Sequence, residues 1–170
     1  MLKIAKSYEN QLQYQFSRTL FNEKYKYYHA SNYYDYNLAL DNDSWNSLQF
    51  VSVDKNDNVL GYFSAKINRT AEYVSSLQVI NFYELNYTFS KDFHQFVTDL
   101  FTKFNFRKIN FSVLIGNPAE KMYDKYIEKY NGRVVGVYKE DVRLFDGKYY
   151  DFKVYEIFKN YFERMRGCDS

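Results

Sequence analysis

The side chains that could do chemistry fall mostly in three short stretches. The first is Asn86-Tyr87-Thr88-Phe89-Ser90-Lys91-Asp92-Phe93-His94, where strand-like sequence gives way to helix-like sequence. The first N–H groups of a helix lack intrahelical acceptors and, together with the helix dipole, attract an anion such as phosphate. Lys91 adds to that attraction, and Asp92 opposes it unless it faces away. A helix N-terminus also lowers the pKa of an imidazole beside it, so His94 is either a neutral base or phosphate donor, or simply an exposed first-turn residue. The second is Glu84, between Phe82, Tyr83 and Leu85. Desolvation there would raise its pKa toward that of a base; on the polar face of a half-exposed strand it would stay an ordinary carboxylate. The third runs from Gly116 to Tyr130 and carries Asn117 and a phenol, Tyr123. On spacing alone Tyr123 belongs to a core stripe. His29 offers no signal. With two histidines 65 residues apart, no HExxH and no cysteine partner, no metal site is expected. Cys168, near the end of the sequence, bears no mark of a nucleophile.

These residues need elements to hold them. Leu12, Phe16, Leu20 and Phe21 are spaced for a helix face. The Tyr-rich stretch from Tyr25 to Tyr36 has no period and reads as irregular, with a short helix from Asp35 to Leu40. Strands follow at Gln49–Val53 and Val59–Ala65, joined by a polar turn, and a third runs from Leu77 to Tyr87 with Glu84 inside it. Phe93, Phe96, Val97, Leu100, Phe101 and Phe104 form a helical stripe with Ser90 as its N-cap. Ala119, Met122, Tyr123, Tyr126, Ile127 and Tyr130 repeat that spacing, with Pro118 in the first turn and Asn131-Gly132 as the stop. Between the two helices, Lys108–Ile115 alternates as a strand. Strand–helix–strand of this length implies parallel pairing with a right-handed crossover. Asp146-Gly147 turns a final hairpin between Val134–Phe145 and Tyr149–Phe158. The class is α/β: a mixed sheet with helices on its faces.

Composition narrows the functions. The 170 residues fit one domain, and their net charge is +2. No apolar run approaches the ~18 residues of a membrane span, and the first residues lead into polar sequence, so no membrane segment or signal peptide is expected. A cytoplasmic globular protein is the expectation. The aromatic content is 22%, with 20 Tyr and 16 Phe, whose codons are AT-rich. Such rings could stack on single-stranded nucleic acid, but residues 1–50 hold five cations against five carboxylates, too neutral for a phosphate backbone. No nucleic acid partner is therefore expected; the aromatic content does permit a homodimer.

The order of elements resembles the GNAT superfamily of acyl-CoA-dependent N-acetyltransferases, and particular residues carry the likeness. Phe106-Arg107-Lys108-Ile109-Asn110-Phe111-Ser112-Val113 is similar to the family's fifth strand, and Gly116-Asn117-Pro118-Ala119-Glu120-Lys121-Met122-Tyr123-Asp124-Lys125 to its fourth helix. Gly132-Arg133-Val134-Val135-Gly136-Val137 and Leu144-Phe145-Asp146-Gly147-Lys148-Tyr149-Tyr150-Asp151 resemble the ending of ribosomal-protein-type members. The family's pyrophosphate loop, Gln/Arg-x-x-Gly-x-Gly/Ala, corresponds to the glycine-free stretch Asn86–His94. The resemblance implies a single GNAT-like domain over residues 1–170, with a mostly antiparallel, twisted sheet of six or seven strands and helices on both faces. Residues 1–48 would shape the acceptor side and 49–160 the sheet and cofactor core. It implies acetyl-CoA or another acyl-CoA as co-substrate, no metal, and direct attack by the amine of a small molecule or protein. Tyr123 would protonate the CoA thiolate and Glu84 would be the general base. Asn86, Ser90, Lys91, Asp92, Phe93, His94 and Asn117 would bind the cofactor. The runner-up is a catalytically silent acyl-CoA-binding or interaction module of the same fold. An amine near pKa 10.4 costs about 4.6 kcal/mol to neutralise at pH 7, and one near 7.8 only about 1. With a single weak base, Glu84, the chain favours an α-amine or another amine of low pKa.

Overall fold

The computed structural model describes residues 1–29, 36–84 and 86–167. Seven strands form one sheet: β1 (Leu2–Ile4), β2 (Ser47–Val53), β3 (Val59–Asn68), β4 (Tyr73–Asn81), β5 (Lys108–Leu114), β6 (Arg133–Arg143) and β7 (Tyr149–Phe158). Their order is β1-β2-β3-β4-β5-β7-β6. Every neighbouring pair is antiparallel except β4 and β5. The connection between these two passes through α2 (Tyr87–Thr102), as a parallel pair requires. The other helices are α1 (Glu9–Ser17), α3 (Glu120–Lys129) and α4 (Lys159–Gly167).

Strand alternation gives the sheet two apolar faces. On one, Phe63, Ala65, Ile109 and Phe111 meet Phe93, Phe96, Leu100 and Phe101 of α2, Tyr123 and Ile127 of α3, and Phe162 of α4. On the other, Val51, Val53, Tyr62 and Ile80 meet Leu12 and Phe16 of α1. Much of the aromatic content is core: the Phe63 ring lies 4.8 Å from Phe89 and 5.4 Å from Phe96, and Phe162 lies 4.7 Å from Phe101 and 4.5 Å from Tyr130. Gly61 exists for this packing, because a β-carbon there would stand 2.2 Å from the Phe89 ring.

Several boundaries differ from those the sequence suggests. The third strand ends at Asn81, not Tyr87, and Glu84 lies in the turn beyond it. Helix α2 then begins at Tyr87 rather than after Ser90, because Asn86 is the cap: its side chain accepts from the Phe89 amide at 3.1 Å. Pro118 precedes α3 instead of starting it, since the helix opens at Glu120. The stop at Asn131-Gly132 holds in detail: Asn131 adopts φ 50°, and the Asn131 and Gly132 amides return to the carbonyls of Glu128 and Ile127. Of the Tyr-rich stretch, Tyr25–His29 belong to a 3-10 helix over Glu23–His29 rather than being irregular, and residues 30–35 lie outside the described residues. The helix expected from Asp35 is not formed at 36–40, and Asp35 itself lies outside the described residues. Strand β1 and helix α4 have too little periodicity of their own to be seen in the sequence.

Candidate functional site

The one parallel pair is barely a pair. β4 and β5 meet only at Tyr73–Lys108 and Val74–Ile109. Immediately after, Ser75 is an extra residue on β4: Lys66 of β3 faces Ser76, while Ile67 faces Val74. Such a bulge bends and twists its strand. β4 turns away, β5 stays zipped to β7 along its whole length, and a wedge opens through the sheet.

A cavity of about 590 Å³ occupies the wedge and crosses from one face to the other. Leu77 and Val79 of β4 and Val113 of β5 form its throat, Tyr123 and Asn117 stand on one side, and Tyr28 and His29 line the other. The backbone along the throat has donors to spare. The Phe82 amide bonds the Leu60 carbonyl, which sets the alternation: Ile80, Gln78 and Ser76 bond to β3, whereas Asn81, Val79 and Leu77 turn their N–H and C=O toward the wedge. At Asn81 these groups are taken by the Tyr28 hydroxyl, which donates to the carbonyl and accepts from the amide, both at 3.3 Å. At Leu77 and Val79 the wedge replaces the strand that would have paired with them. Two amides aimed into the gap can hold an extended chain carrying its own amides, or the oxyanion of a carbonyl under attack.

Tyr123 sits on α3 with its ring against Phe111, 5.3 Å away, and Phe93, 6.1 Å away. The side chain is 8% exposed. Burial, and after it the neighbouring phenols Tyr28 and Tyr155, pushes its pKa well above the usual range. It therefore stays protonated at every ordinary pH. Below it, Asp124 takes hydrogen bonds from Lys153 at 2.6 Å and from the Tyr155 hydroxyl at 2.7 Å, fixing α3 on β7. Gly116, at φ 94°, turns β5 into α3, and a β-carbon there would come 3.3 Å from the Tyr27 hydroxyl.

The head of α2 stands five residues beyond the end of β4. Asn86 spends its side chain on the Phe89 amide, and its carbonyl accepts from the Ser90 amide at 3.1 Å and the Ser90 hydroxyl at 3.2 Å. Helix geometry leaves the Tyr87 and Thr88 amides without intrahelical acceptors. Lys91 is exposed nearby. Asp92 points inward and is 7% exposed. It accepts from the Ser52 hydroxyl at 2.6 Å and pairs with the Met1 ammonium at 2.8 Å, so its charge is neutralised away from the helix head.

The remaining residues fall elsewhere. Phe93 is core, between Tyr123 and Tyr126. His94 is two turns into α2 rather than at its start; its ring stacks on Tyr130 and its Nδ1 lies 3.3 Å from the Tyr126 hydroxyl. Burial, and then the charges of Lys129 and Arg166, lower its pKa. Glu84 is 74% exposed and pairs with Lys24 at 3.0 Å. It lines a separate surface cleft with Arg18, Thr19 and Tyr25, and is absent from the wall of the wedge cavity. The strand context that made it a candidate base is missing, because β4 has ended. Of the expected set, then, Tyr123 and Asn117 line the wedge cavity. Asn117 also holds the Ala119 amide at 2.9 Å.

The 3-10 helix over Glu23–His29 is tied to the C-terminal hairpin. Lys26 bonds Asp146 at 3.0 Å and the Tyr150 hydroxyl at 3.1 Å, and Tyr150 donates to Asp146 at 2.6 Å. These bonds, first Tyr150 and then the Lys148 amide, hold the Asp146 carboxyl at about 2. Sequence reading missed Tyr28 and His29 because a 3-10 helix has no apolar period to display them. The pairing of the 3-10 helix with a hairpin 120 residues away leaves no local trace.

No group of three or more His, Cys, Asp or Glu fit for a metal ion occurs among the described residues, and no described helix is long and apolar enough to cross a membrane. No protein-family model matches the sequence, and no curated protein matches it. Solved structures do. A spermidine N-acetyltransferase from Vibrio cholerae, in complex with CoA and spermine, superposes with a TM-score of 0.75 over 96% of this chain and 97% of its own, at 18% identity. A chimera of Vibrio cholerae SpeG and hSSAT is 27% identical over 71% of this chain and 70% of its own, with a TM-score of 0.58. SpeG from Vibrio cholerae with manganese ions gives 23% identity over 71% of this chain and 70% of its own, with a TM-score of 0.59. The chain therefore has the GNAT fold of these structures, a seven-stranded mixed sheet with helices on its faces.

Proposed function

We propose that the protein transfers an acetyl or other short acyl group from acyl-CoA to a small amine by direct attack. The observation that carries this is the cavity crossing the sheet through the β4–β5 wedge, with the buried phenol of Tyr123 on its wall. A pantetheine arm in the wedge would pair with the Leu77 and Val79 backbone. The pyrophosphate would meet the Tyr87 and Thr88 amides and Lys91 at the head of α2. The amine would enter from the side of Tyr28 and His29 and attack the thioester carbonyl. As the C–S bond breaks, Tyr123 would give its proton to the thiolate. The solved structures of similar fold act on spermidine, which supports a small-molecule amine as acceptor. The reaction would run in the cytoplasm, where acetyl-CoA is made.

The test has two steps. Acetyl-CoA at ~100 times its Kd should stabilise the protein by about 2.7 kcal/mol, roughly 5 to 10 °C in Tm. Thiol release should then follow with at least one amine from spermidine, spermine, tyramine and a glycyl peptide. No shift at millimolar acetyl-CoA overturns the proposal. The glycine-free head of α2 favours a second reading, a silent acyl-CoA binder, and a thermal shift without turnover on any amine would establish that instead.

A further inference from the structure

An amine that attacks a thioester must shed a proton, and the wedge cavity offers few places for it. Asp41 is the one carboxylate on the described wall, and it already accepts from the Ser47 hydroxyl at 2.5 Å. Lys66 is the one ammonium. Glu84 lies in a different cleft. The wall does hold one imidazole, His29, which is 5% exposed.

His29 is oriented by a two-step chain. The Thr19 hydroxyl donates to the Phe16 carbonyl at 2.7 Å, which uses its only proton. It lies 2.9 Å from His29 Nε2, so at that contact it must accept, and Nε2 must carry the hydrogen. In the neutral ring the lone pair is then on Nδ1. No described residue bonds Nδ1. The ring packs on Phe16, with centroids 5.1 Å apart.

We propose that His29 is the catalytic base of the acyl transfer, taking the proton from the attacking amine on Nδ1 while Thr19 holds Nε2–H. The inference rests on the acyltransferase reading. The C–N bond forms and the C–S bond breaks; one N–H proton of the amine passes to Nδ1, and the departing thiolate receives the proton of Tyr123. Solvent then carries the proton of His29 back to Tyr123, so atoms and charge balance over the cycle.

The surroundings keep the imidazole neutral. Burial lowers its pKa, opposed by a hydrogen bond with the Thr19 backbone. The cavity wall presents the phenols of Tyr27, Tyr28, Tyr62 and Tyr123, the bonded Asp41, and Lys66. On its own 3-10 helix Glu23 pairs with Lys26, which also pairs with Asp146, and Lys24 pairs with Glu84. Beside Thr19, Arg18 reaches Gln15 at 3.4 Å. None of these charges forms an ion pair with the ring.

The test is the pH dependence of kcat/KM for thiol release from acetyl-CoA, measured from about pH 5 to 9 with the best amine of the panel above. In the unmodified protein log kcat/KM should fall by one decade per pH unit below the amine's own pKa, and by two decades per unit below that of His29. His29→Gln keeps an N–H for Thr19 but has no basic nitrogen. It should retain its Tm within a few degrees, lose ~10²-fold or more in kcat, and show the one-decade slope throughout. A folded His29→Gln with kcat within about twofold of the parent overturns the assignment and leaves the acyltransferase reading intact. Acetyl-CoA binding without thiol release from any amine refutes the acyltransferase reading and this proposal together. Should His29→Gln fail to fold, NMR decides: His94→Gln leaves a single imidazole, whose titration must coincide with the second break in the unmodified protein's profile. A mismatch overturns the proposal.

Discussion

Replacing Tyr123 with Phe removes one oxygen and almost nothing else. The ring keeps its contacts with Phe111, Phe93 and Tyr155. The hydroxyl has no hydrogen-bond partner among the described residues, so the fold should lose no more than about 0.5 kcal/mol, or roughly 1 to 2 °C in Tm. Cofactor affinity should hold as well, because the groups assigned to the pantetheine and pyrophosphate are backbone amides on β4 and α2 and the side chain of Lys91. What changes is the proton. A thiolate expelled into a buried wedge with no donor leaves as an anion, and loss of a positioned acid slows such a step by ~10²-fold or more, equivalent to about 2.7 kcal/mol of barrier. Because burial raises the Tyr123 pKa above 10, the phenol keeps its proton up to that pH and should add no alkaline limb below it. The assay is single-turnover thiol release with a saturating amine, alongside a thermal shift with acetyl-CoA. If Tyr123→Phe binds acetyl-CoA like the parent and turns over within about twofold of it, Tyr123 is a core residue and the proton comes from elsewhere.

Other expectations follow from the packing and the ion pairs. Gly61→Ala would place a methyl 2.2 Å from Phe89 and 2.5 Å from the Ile80 carbonyl, so it should cost ~1–3 kcal/mol by thermal melting and weaken acetyl-CoA binding as the head of α2 shifts. An unchanged Tm would contradict that packing. Burial pushes the Glu156 carboxyl up, but Lys108 at 3.0 Å and Arg133 at 2.6 Å outweigh it and hold its pKa below the usual value. Its stabilisation is therefore complete above the unfolded pKa of about 4.3 and disappears as pH falls through the lower folded value. Glu156→Gln should cost ~1–3 kcal/mol at neutral pH and flatten the loss of stability in acid; denaturant melts at a series of pH values decide this. Thr19→Val should lower kcat by about tenfold with little change in acetyl-CoA affinity, and Thr19→Ser should restore it.

The architecture was legible where local signals were strong. The stripes of α2 and α3, the Asp146-Gly147 turn and the alternation in β5 give the β-α-β unit and the closing hairpin directly. Tyr123 and Asn117 fall on the cavity wall because the stripe that forms α3 was legible, although the helix opens at Glu120 and leaves Pro118 in the turn before it. Glu84 shows the opposite case. Its apolar neighbours suggested a strand, yet the Asn86 cap and the turn after Asn81 end β4 early and leave the carboxylate beside Lys24. Whether Asp92 faced in or out could not be read from its position, because its partners, Ser52 of β2 and Met1 just before β1, lie 40 and more residues away. His29 was invisible for a similar reason. Its meaning depends on Thr19, held by the turn after α1, and on a wedge created by a one-residue bulge in β4.

The central claim is that β4 and β5 part after Val74 and Ile109 and leave the Leu77 and Val79 amides free for a pantetheine arm. Residue-resolved amide hydrogen exchange tests it directly. In the free protein Leu77 and Val79 should exchange far faster than Gln78 and Ile80, which bond to β3, and CoA should slow both. Protection of Leu77 and Val79 equal to that of their neighbours without CoA, or exchange that CoA leaves untouched, would contradict the account.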